Sequence, residues 1–164
     1  MEVNQEMITL AKQLQDAAEA DKIDKLLAGA VVLMRNRILI VSRSSADEFL
    51  PGYLEIPGGG VDANETILEG LEREVLEETN LEIEKIVLYI GSFNAVSPNG
   101  QRVRQFNFLV EPTTDDVRLS EEHADHLWWD IQRDDIDSMI MLDSMKEIVV
   151  RAVESIKGST HLHE

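Results

Sequence analysis

The sequence predicts an α/β protein in which helices cover a mixed β-sheet. Apolar residues recur at three- and four-residue intervals in three segments, near each end of the chain and near its middle, which is the spacing of amphipathic helices. Two stretches rich in β-branched and aromatic residues, broken by turn residues, fill the intervals between them. The order helix, strands, helix, strands, helix therefore favours helices packed on a mixed sheet. A length of 164 residues fits one domain.

The first predicted helix covers residues 2–27, where Met7, Leu10 and Leu14 share one side with several alanines. Three roles are compatible with this pattern: a helix packed on the domain, an arm that forms a homodimer, or a frayed tail. The predicted division of the chain is an N-terminal helical extension at 1–27, a main domain at 28–157 and a C-terminal tail at 158–164.

A β-hairpin is predicted directly after this helix. Residues 28–34 and 37–42 are β-rich, and Asn36 between them suits a tight turn. The segment 49–56 contains a Pro-Gly turn signal and ends in a short extended stretch. The next four residues, 57–60, are one proline and three glycines, and we expect them to form an irregular loop.

The central helix has recognisable signals at both ends. Asp62 and, three residues later, Glu65 form a capping-box pattern at its start. The helix should continue to about Thr79. Asn80 suits the C-terminal cap because asparagine tolerates the left-handed conformation that such caps adopt.

The second half of the chain is predicted to hold three strands and a final helix. A Ser-Pro-Asn-Gly sequence at 97–100 marks the turn between the first two strands. The predicted strands are 83–94, 102–111 and 127–131, a polar loop covers 112–125, and the helix covers 143–157.

A formal charge of −17, from 15 basic and 32 acidic residues, limits the classes of partner. Sequence-independent binding to nucleic acid or to an anionic membrane depends on basic surface, so neither is expected. The sequence contains no cysteine, which excludes disulfides and thiolate metal sites and fits a reducing compartment. No apolar run reaches the length of a membrane span, and the N-terminus lacks signal-peptide features, so we expect a cytoplasmic protein.

Seven carboxylates are concentrated in the 23 residues 59–81. Three of them, Glu74, Glu77 and Glu78, have spacings that place neighbours on one side of a helix. Like charges at such spacings cost roughly 0.2–0.5 kcal/mol per pair, so their clustering indicates a bound cation. A divalent metal is the simplest candidate because hard cations prefer carboxylate oxygens. The alternative is an acidic face that only meets solvent.

Gly70 lies on the same side of this helix as the carboxylates. A glycine inside a helix costs about 1 kcal/mol relative to alanine, and close approach of another part of the chain is the usual compensation. We expect the neighbour to be the glycine-rich segment 57–60. Helix carboxylates and loop backbone groups would then form one pocket.

The spacing of these residues resembles the signature of the Nudix hydrolases. Gly59 is followed after five residues by Glu65, and after seven more by the run Arg-Glu-Val-Leu-Glu-Glu at 73–78. The preceding segment 52–59 is similar to the family's lead-in. Asn80 stands where the family has glycine, and as a helix cap it should preserve the geometry. The resemblance extends over the main domain defined above.

The resemblance implies an α/β/α sandwich that hydrolyses a diphosphate linkage in nucleoside diphosphate derivatives, with Mg²⁺ or Mn²⁺ as cofactor. Glu77 and Glu78 would ligate the metal, helped by the carbonyl of Gly59. Glu74 would ligate the metal or act as general base, and Arg73 would orient one of these carboxylates. The roles suit the chemistry, because a metal neutralises phosphate oxygens and generates hydroxide, and it reconciles an anionic substrate with an acidic protein.

A further carboxylate is expected from a loop downstream of the signature. Glu122, as a catalytic residue, and Glu121, as a metal ligand, are the best-placed candidates, with His123 as an outsider. Each of them could instead be an exposed loop residue without a role in the site.

The phosphate groups of a substrate would need cationic partners. Arg43, Arg102 and Arg104 are candidates, although each could equally be a charge at a strand edge, and Tyr53 is a candidate substrate contact. The expected partner is a small-molecule nucleotide: a nucleoside triphosphate, including an oxidised one, or an ADP-ribose-like nucleotide sugar, with a lean towards the triphosphates. The alternative function is a catalytically silent Nudix domain that senses a nucleotide ligand.

Overall fold

The computed structural model describes residues 1–47, 49–133 and 135–161, and it shows a mixed sheet with helices on both faces. The α-helices are α1 (Gln5–Ala20), α2 (Ile67–Thr79) and α3 (Asp143–His161), with a short 3-10 helix at Ile136–Ser138. The strands are β1 (Lys25–Met34), β2 (Arg37–Arg43), β3 (Leu54–Glu55), β4 (Gly58–Gly60), β5 (Ile83–Val96), β6 (Arg102–Pro112) and β7 (His123–Asp130).

The sheet has the strand order β3-β2-β1-β6-β5, with β4 paired to β1 and β7 paired to β2. Strands β1 and β6 run parallel, in a register that pairs Leu27 with Gln105 and Gly29 with Asn107. The remaining pairs are antiparallel. The sheet is therefore mixed, as the sequence predicts.

The core has two layers because successive side chains of a strand point to opposite faces. Ala28, Ala30 and Val32 of β1 pack in one cluster with residues of α1 and α2. Val31 of the same strand packs in a second cluster with residues of α3, among them Ile148. This arrangement confirms the predicted α/β/α sandwich.

Helix α1 is shorter than the predicted helix at 2–27. Asn4 caps its start by accepting a hydrogen bond from the Met7 N–H at 2.8 Å. Asp21 caps its end, and Lys22 follows in the left-handed conformation (φ 58°), so the chain turns and enters β1 three residues later. Met7, with Ala11 and Ala18, is buried in the core cluster that contains α2. The structure thus shows this helix packed on the domain, as the first of the three predicted roles requires.

The prediction that residues 57–60 form an irregular loop is wrong for the glycines. Gly58–Gly60 is strand β4, which pairs antiparallel with β1 so that Gly59 faces Ala28 and Gly58 faces Gly29. Gly58 has a φ of 157°, and a Cβ there would lie 2.8 Å from the Gly29 Cα and closer still to the Ala28 carbonyl. The absence of side chains allows this close approach of the two strands.

Helix α2 begins four residues later than the capping pattern predicts. Thr66 is the actual cap: its hydroxyl oxygen accepts a hydrogen bond from the Glu69 N–H at 3.1 Å. Asp62 and Glu65 form a turn before the helix, in which the Asp62 N–H donates to Glu65 Oε1 at 2.8 Å. Asn80 is confirmed as the C-terminal cap, with φ 64° in the left-handed region.

Two further boundaries differ from the sequence prediction. Strand β7 starts at His123, inside the predicted loop, and pairs His123 with Arg43 across an irregularity in β2. Helix α3 continues to His161, so residues 158–161 belong to it, and the remaining predicted tail lies outside the described residues. None of the helices that the structure describes is long and apolar enough to cross a membrane.

Candidate active site

A cavity of about 290 Å³ lies where strand β4, the C-terminal half of α2 and the residue before β7 meet. Four carboxylates line it: Glu55, Glu74, Glu78 and Glu122. The cations on its wall are Arg43 and Lys25. The remaining wall is formed by the three glycines of β4, by Gln105, and by the apolar side chains of Leu27, Ile56 and Met145.

Glu78 is the most deeply buried of these carboxylates, with 5% of the residue exposed. The Gly58 N–H donates a hydrogen bond to its Oε2 at 3.0 Å. Burial, together with the negative charges of Glu122, Glu74 and Glu55, raises the pKa of Glu78 to about 9. This environment favours the protonated form of Glu78, and a cation bound among the carboxylates would compensate their charge and favour the ionised form.

Glu74 lies directly against the backbone of Gly59. A Cβ at Gly59 would lie 2.5 Å from Glu74 Cδ and 2.9 Å from Oε1, so only glycine leaves room for this carboxylate. Burial raises the pKa of Glu74, and the hydrogen bond from Arg73 opposes that shift. Strand β4 therefore fixes the position of the Glu74 carboxylate.

Arg73 connects the carboxylates of α2 to the glycine strand. Its Nη2 donates to the Gly60 carbonyl at 2.8 Å, and its Nε donates to Glu65 Oε2 at 3.0 Å. Its Nη1 donates to Glu74 Oε1 at 2.9 Å and to Glu77 Oε2 at 3.3 Å. The hydrogen bonds with Glu65 are the main cause of the raised pKa of Arg73, and they lower the pKa of Glu65. Arg73 is placed to orient Glu74, whereas the side chain of Glu77 is 58% exposed.

The neighbours of Gly70 differ from the prediction. A Cβ at Gly70 would lie 3.1 Å from Val61 Cγ2 and 3.1 Å from Glu65 Oε1. Close approach is thus the reason for the glycine, but the approaching residues follow the segment 57–60 rather than belonging to it. Gly70 therefore lets α2 pack closely against the turn that contains Glu65, one of the hydrogen-bond partners of Arg73.

A second ionic cluster, which no sequence pattern predicted, borders the cavity around Glu55. Arg43 Nη1 donates to both Glu55 carboxylate oxygens, at 3.4 and 3.3 Å, and its Nη2 pairs with Asp47. His123, almost fully buried, places Nε2 2.8 Å from Glu55 Oε1. The only sequence signal for Glu55 was its position in the lead-in to the glycines.

Six predicted site residues do not line the cavity: Arg73 and Glu77, described above, and Arg102, Arg104, Tyr53 and Glu121. Arg102 donates from Nη1 to the Asp21 carbonyl at 2.9 Å, and Arg104 pairs with the Asp21 carboxylate at 2.9 Å. Both arginines tie β6 to the end of α1 and lie outside the cavity. Tyr53 and Glu121 also do not line the cavity, whereas Arg43 and Glu122 do.

The donor set of the cavity fits a hard divalent cation such as Mg²⁺ or Mn²⁺. Hard cations prefer carboxylate and carbonyl oxygens. The buried Glu78 and Glu74, whose carboxylate lies against Gly59, line the same cavity. Within the described parts of the chain, no group of three or more acidic or histidine side chains is already arranged around an ion position. Arg73 holds Glu77 and Glu74 in the present arrangement.

Together, the sandwich, the glycine strand and the glutamate-rich helix define a Nudix-type fold and site. A family model described as NUDIX domain matches residues 25–137. The chain belongs to this NUDIX domain family.

Individual relatives agree with this assignment. The zebrafish (Danio rerio) protein named 8-oxo-dGDP phosphatase NUDT18 is 29% identical over 143 residues, a match that covers 79% of this chain and 42% of the relative. The chain thus spans about two fifths of that protein's length. The MutT protein of Methanosarcina mazei Go1 has a similar structure, with a TM-score of 0.67, 24% identity, and coverage of 81% of this chain and 94% of that one.

A third similar structure is the NUDIX domain of Shewanella oneidensis NrtR complexed with ADP ribose. It has a TM-score of 0.67 and 18% identity, and the match covers 84% of this chain and 92% of that one. At these identities the structural similarities establish the fold.

Proposed function

We propose that this protein is a Nudix pyrophosphohydrolase that depends on Mg²⁺ or Mn²⁺ and hydrolyses the diphosphate linkage of nucleoside diphosphate derivatives. The observation that carries the proposal is the position of Glu78. It is buried opposite the glycine strand, with Glu74, Glu122 and Glu55 on the walls of the same cavity. A structural role alone does not account for four carboxylates around one small cavity, because each raises the cost of ionising the others.

In this proposal Glu78 and Glu74 hold the metal. Glu77, whose side chain is largely exposed and accepts a hydrogen bond from Arg73, is the third ligand. A bound divalent metal supplies charge neutralisation of the phosphate oxygens and activation of water. Arg73 orients Glu74 and ties it to the Gly60 carbonyl. Glu122, directly before β7, lines the same cavity and is a candidate base. Arg43 lines the cavity and would bind a phosphate oxygen, although it also pairs with Glu55 and Asp47.

The proposed substrates are nucleoside triphosphates, including oxidised ones, with ADP-ribose-like nucleotide sugars as the second class. The named activity of the zebrafish relative, an 8-oxo-dGDP phosphatase, supports an oxidised purine nucleotide. The ADP ribose complex of the NrtR domain supports the second class. Water would attack a phosphorus of the diphosphate and release a nucleoside monophosphate together with either a phosphorylated partner or pyrophosphate.

The test compares Glu78→Gln with the matched control Glu72→Gln, which changes an exposed glutamate of the same helix outside the cavity. Phosphate or pyrophosphate release is measured on a panel of dNTPs, 8-oxo-dGTP, 8-oxo-dGDP and ADP-ribose with Mg²⁺ or Mn²⁺. We expect Glu78→Gln to lower kcat by about a hundredfold or more, because a metal ligand is lost, while Glu72→Gln keeps wild-type activity.

Near-full activity of Glu78→Gln would refute the metal role of this carboxylate. Activity that survives chelation of divalent ions would refute metal dependence. If the wild-type protein binds nucleotides from the panel but hydrolyses none of them, the silent sensor becomes the correct function.

A further inference from the structure

Two amide side chains are buried in the middle of the central strand β6. Gln105 is 9% exposed and Asn107 is fully buried. The alternate residues Phe106 and Phe108 pack in the apolar cluster on the other face of the sheet. Burying an amide without partners costs free energy that an apolar side chain would not. A pair of amides at this position therefore calls for a specific role.

The hydrogen bonds of the pair determine which way each amide points. Asn107 Nδ2 donates to the Gly91 carbonyl at 3.1 Å, and since a carbonyl can only accept, the amide of Asn107 has one orientation. Its Oδ1 then accepts from Gln105 Nε2 at 2.8 Å. The remaining polar atom, Gln105 Oε1, has no donor among the described residues. The pair thus presents one acceptor at a fixed place.

Gly29 on the neighbouring strand β1 keeps the pair in position. A Cβ at Gly29 would lie 2.5 Å from both Asn107 Oδ1 and Gln105 Nε2. The two hydrogen-bonded amide groups occupy the space that the side chain of any larger residue at position 29 would need. The strand register, with Gly29 beside Asn107 and Leu27 beside Gln105, therefore depends on glycine at this position.

Gln105 lines the cavity of the candidate active site next to apolar walls from Leu27, Ile56 and Met145. Apolar walls with one fixed polar atom are typical of a pocket for a flat, mostly apolar group with a polar edge. In a nucleotide that group is the base, whereas the diphosphate belongs near the carboxylates. Gln105 and these apolar side chains are therefore candidates for contact with the base, and the carboxylates of the same cavity are candidates for the diphosphate and its metal.

We propose that Gln105 is a specificity-determining residue whose Oε1 accepts a hydrogen bond from an N–H on the edge of the substrate's base, with Asn107 and Gly29 as positioning residues. This inference rests on the proposed function. A base that presents a lone pair instead of an N–H at that edge meets an acceptor and is disfavoured. A buried acceptor left without its donor typically weakens recognition by about tenfold to a hundredfold.

The test is a cycle of substrate and protein changes. The substrates are the best nucleotide of the panel and analogues in which each base N–H is replaced in turn by N–CH₃ or C–H. The proteins are the wild type, Gln105→Met, and the control Gln101→Met, which changes an exposed glutamine before the same strand. The readout is the ratio of kcat/KM between parent and analogue within one protein, which is insensitive to partial loss of folded protein.

For one analogue, we expect kcat/KM to be about tenfold or more below that of the parent nucleotide, both in the wild type and in Gln101→Met. In Gln105→Met, we expect parent and analogue to have similar kcat/KM. Gly29→Ala should weaken the same discrimination because it displaces the amide pair. The inference is overturned if no analogue is discriminated by the wild type, or if Gln105→Met retains the discrimination.

The same cycle separates this inference from the proposed function. If the wild type hydrolyses no nucleotide, calorimetric binding of the same parent and analogues replaces kcat/KM. Discrimination in binding that depends on Gln105 then supports the inference although the proposed hydrolysis fails. Hydrolysis with discrimination that is independent of Gln105 leaves the proposed function intact and refutes the inference. Absence of both binding and hydrolysis refutes both.

Discussion

The carboxylate of Glu74 occupies the space in which a Cβ at Gly59 would lie, 2.5 Å from the Cδ of the glutamate. The two residues are 15 positions apart in sequence, on α2 and β4. The glycine strand therefore does more than bring backbone groups to the cavity. It determines the position of a candidate catalytic carboxylate, and single substitutions can test this relationship.

Gly59→Ala should lower kcat by about tenfold to a hundredfold, because the added methyl group displaces the Glu74 carboxylate by the few tenths of an ångström to an ångström that catalytic geometry does not tolerate. Gly60→Ala is the matched control, since a Cβ there would first meet the flexible end of Lys25, at 3.2 Å from its Cε. Steady-state kinetics and thermal unfolding of both variants are the measurement. Equal activity of the two variants would contradict the role of Gly59.

Arg73→Lys should lower both activity and stability although it keeps the positive charge. The guanidinium makes hydrogen bonds to Glu65, Glu74, Glu77 and the Gly60 carbonyl at once, which a lysine ammonium cannot reproduce. Loss of these charge-assisted bonds should lower the free energy of unfolding by about 1–3 kcal/mol in urea titrations.

Arg118→Lys is the control for that substitution. Its side chain is 75% exposed and pairs only at the surface with Asp116, at 3.4 Å. Such surface pairs contribute little, so unfolding and turnover should match the wild type. If Arg73→Lys is as stable and active as Arg118→Lys, the hydrogen bonds of the Arg73 guanidinium have no measurable effect on stability or activity.

The contribution of Glu65 to stability should depend on pH. Hydrogen bonds from Arg73 and from the Asp62 backbone lower the pKa of Glu65 below its usual 4.5. A lowered pKa in the folded state stabilises the protein above the unfolded-state value, and this stabilisation is lost as the pH falls through the folded-state pKa. The stability difference between the wild type and Glu65→Gln should be full above pH 4.5 and shrink below it. A difference that stays constant down to the folded-state pKa would rule out this linkage.

Glu78 should have the opposite pH dependence. Its pKa in the folded state is raised to about 9 from 4.5, so the fold favours the protonated carboxyl. That stabilisation is full below pH 4.5 and is lost as the pH rises through about 9. Without divalent ions, Glu78→Gln should therefore melt a few degrees above the wild type at pH 8 and close to it at pH 5.

Addition of Mg²⁺ or Mn²⁺ supplies the complementary measurement. At pH 8 the ion should raise the melting temperature of the wild type more than that of Glu78→Gln, since only the wild type gains a compensated charge. Equal shifts for both proteins would indicate that the ion binds elsewhere.

Asn80 occupies the helix cap where the family signature has glycine, and it has φ 64°. Asn80→Gly should therefore change the free energy of unfolding by only a few tenths of a kcal/mol, and activity should be retained. Asn80→Ala should destabilise by about 1 kcal/mol, because alanine pays a steric penalty in the left-handed region. Urea titration of the three proteins distinguishes a capping role from a role in the site.

Local signals in the sequence were sufficient for the parts of this protein that depend on neighbouring residues. The amphipathic spacing of three segments predicted helices that cover a mixed sheet, and Asn80 was predicted as the cap of the central helix. The spacing of Gly59, Glu74 and Glu78 predicted which residues face the cavity. These features are readable because helix periodicity and capping act over a few residues.

Tertiary structure decided the features that depend on partners distant in sequence. Gly58–Gly60 forms a strand because it pairs with β1, and Arg104 lies outside the cavity because it pairs with Asp21 at the end of α1. Glu55 and Gln105 reached the cavity through strand pairing and register, which no local pattern encodes. The sequence by itself thus determined the fold class and the carboxylates of α2. Only the packing of strands determined which arginines, amides and further carboxylates surround them, since those contacts join residues tens of positions apart.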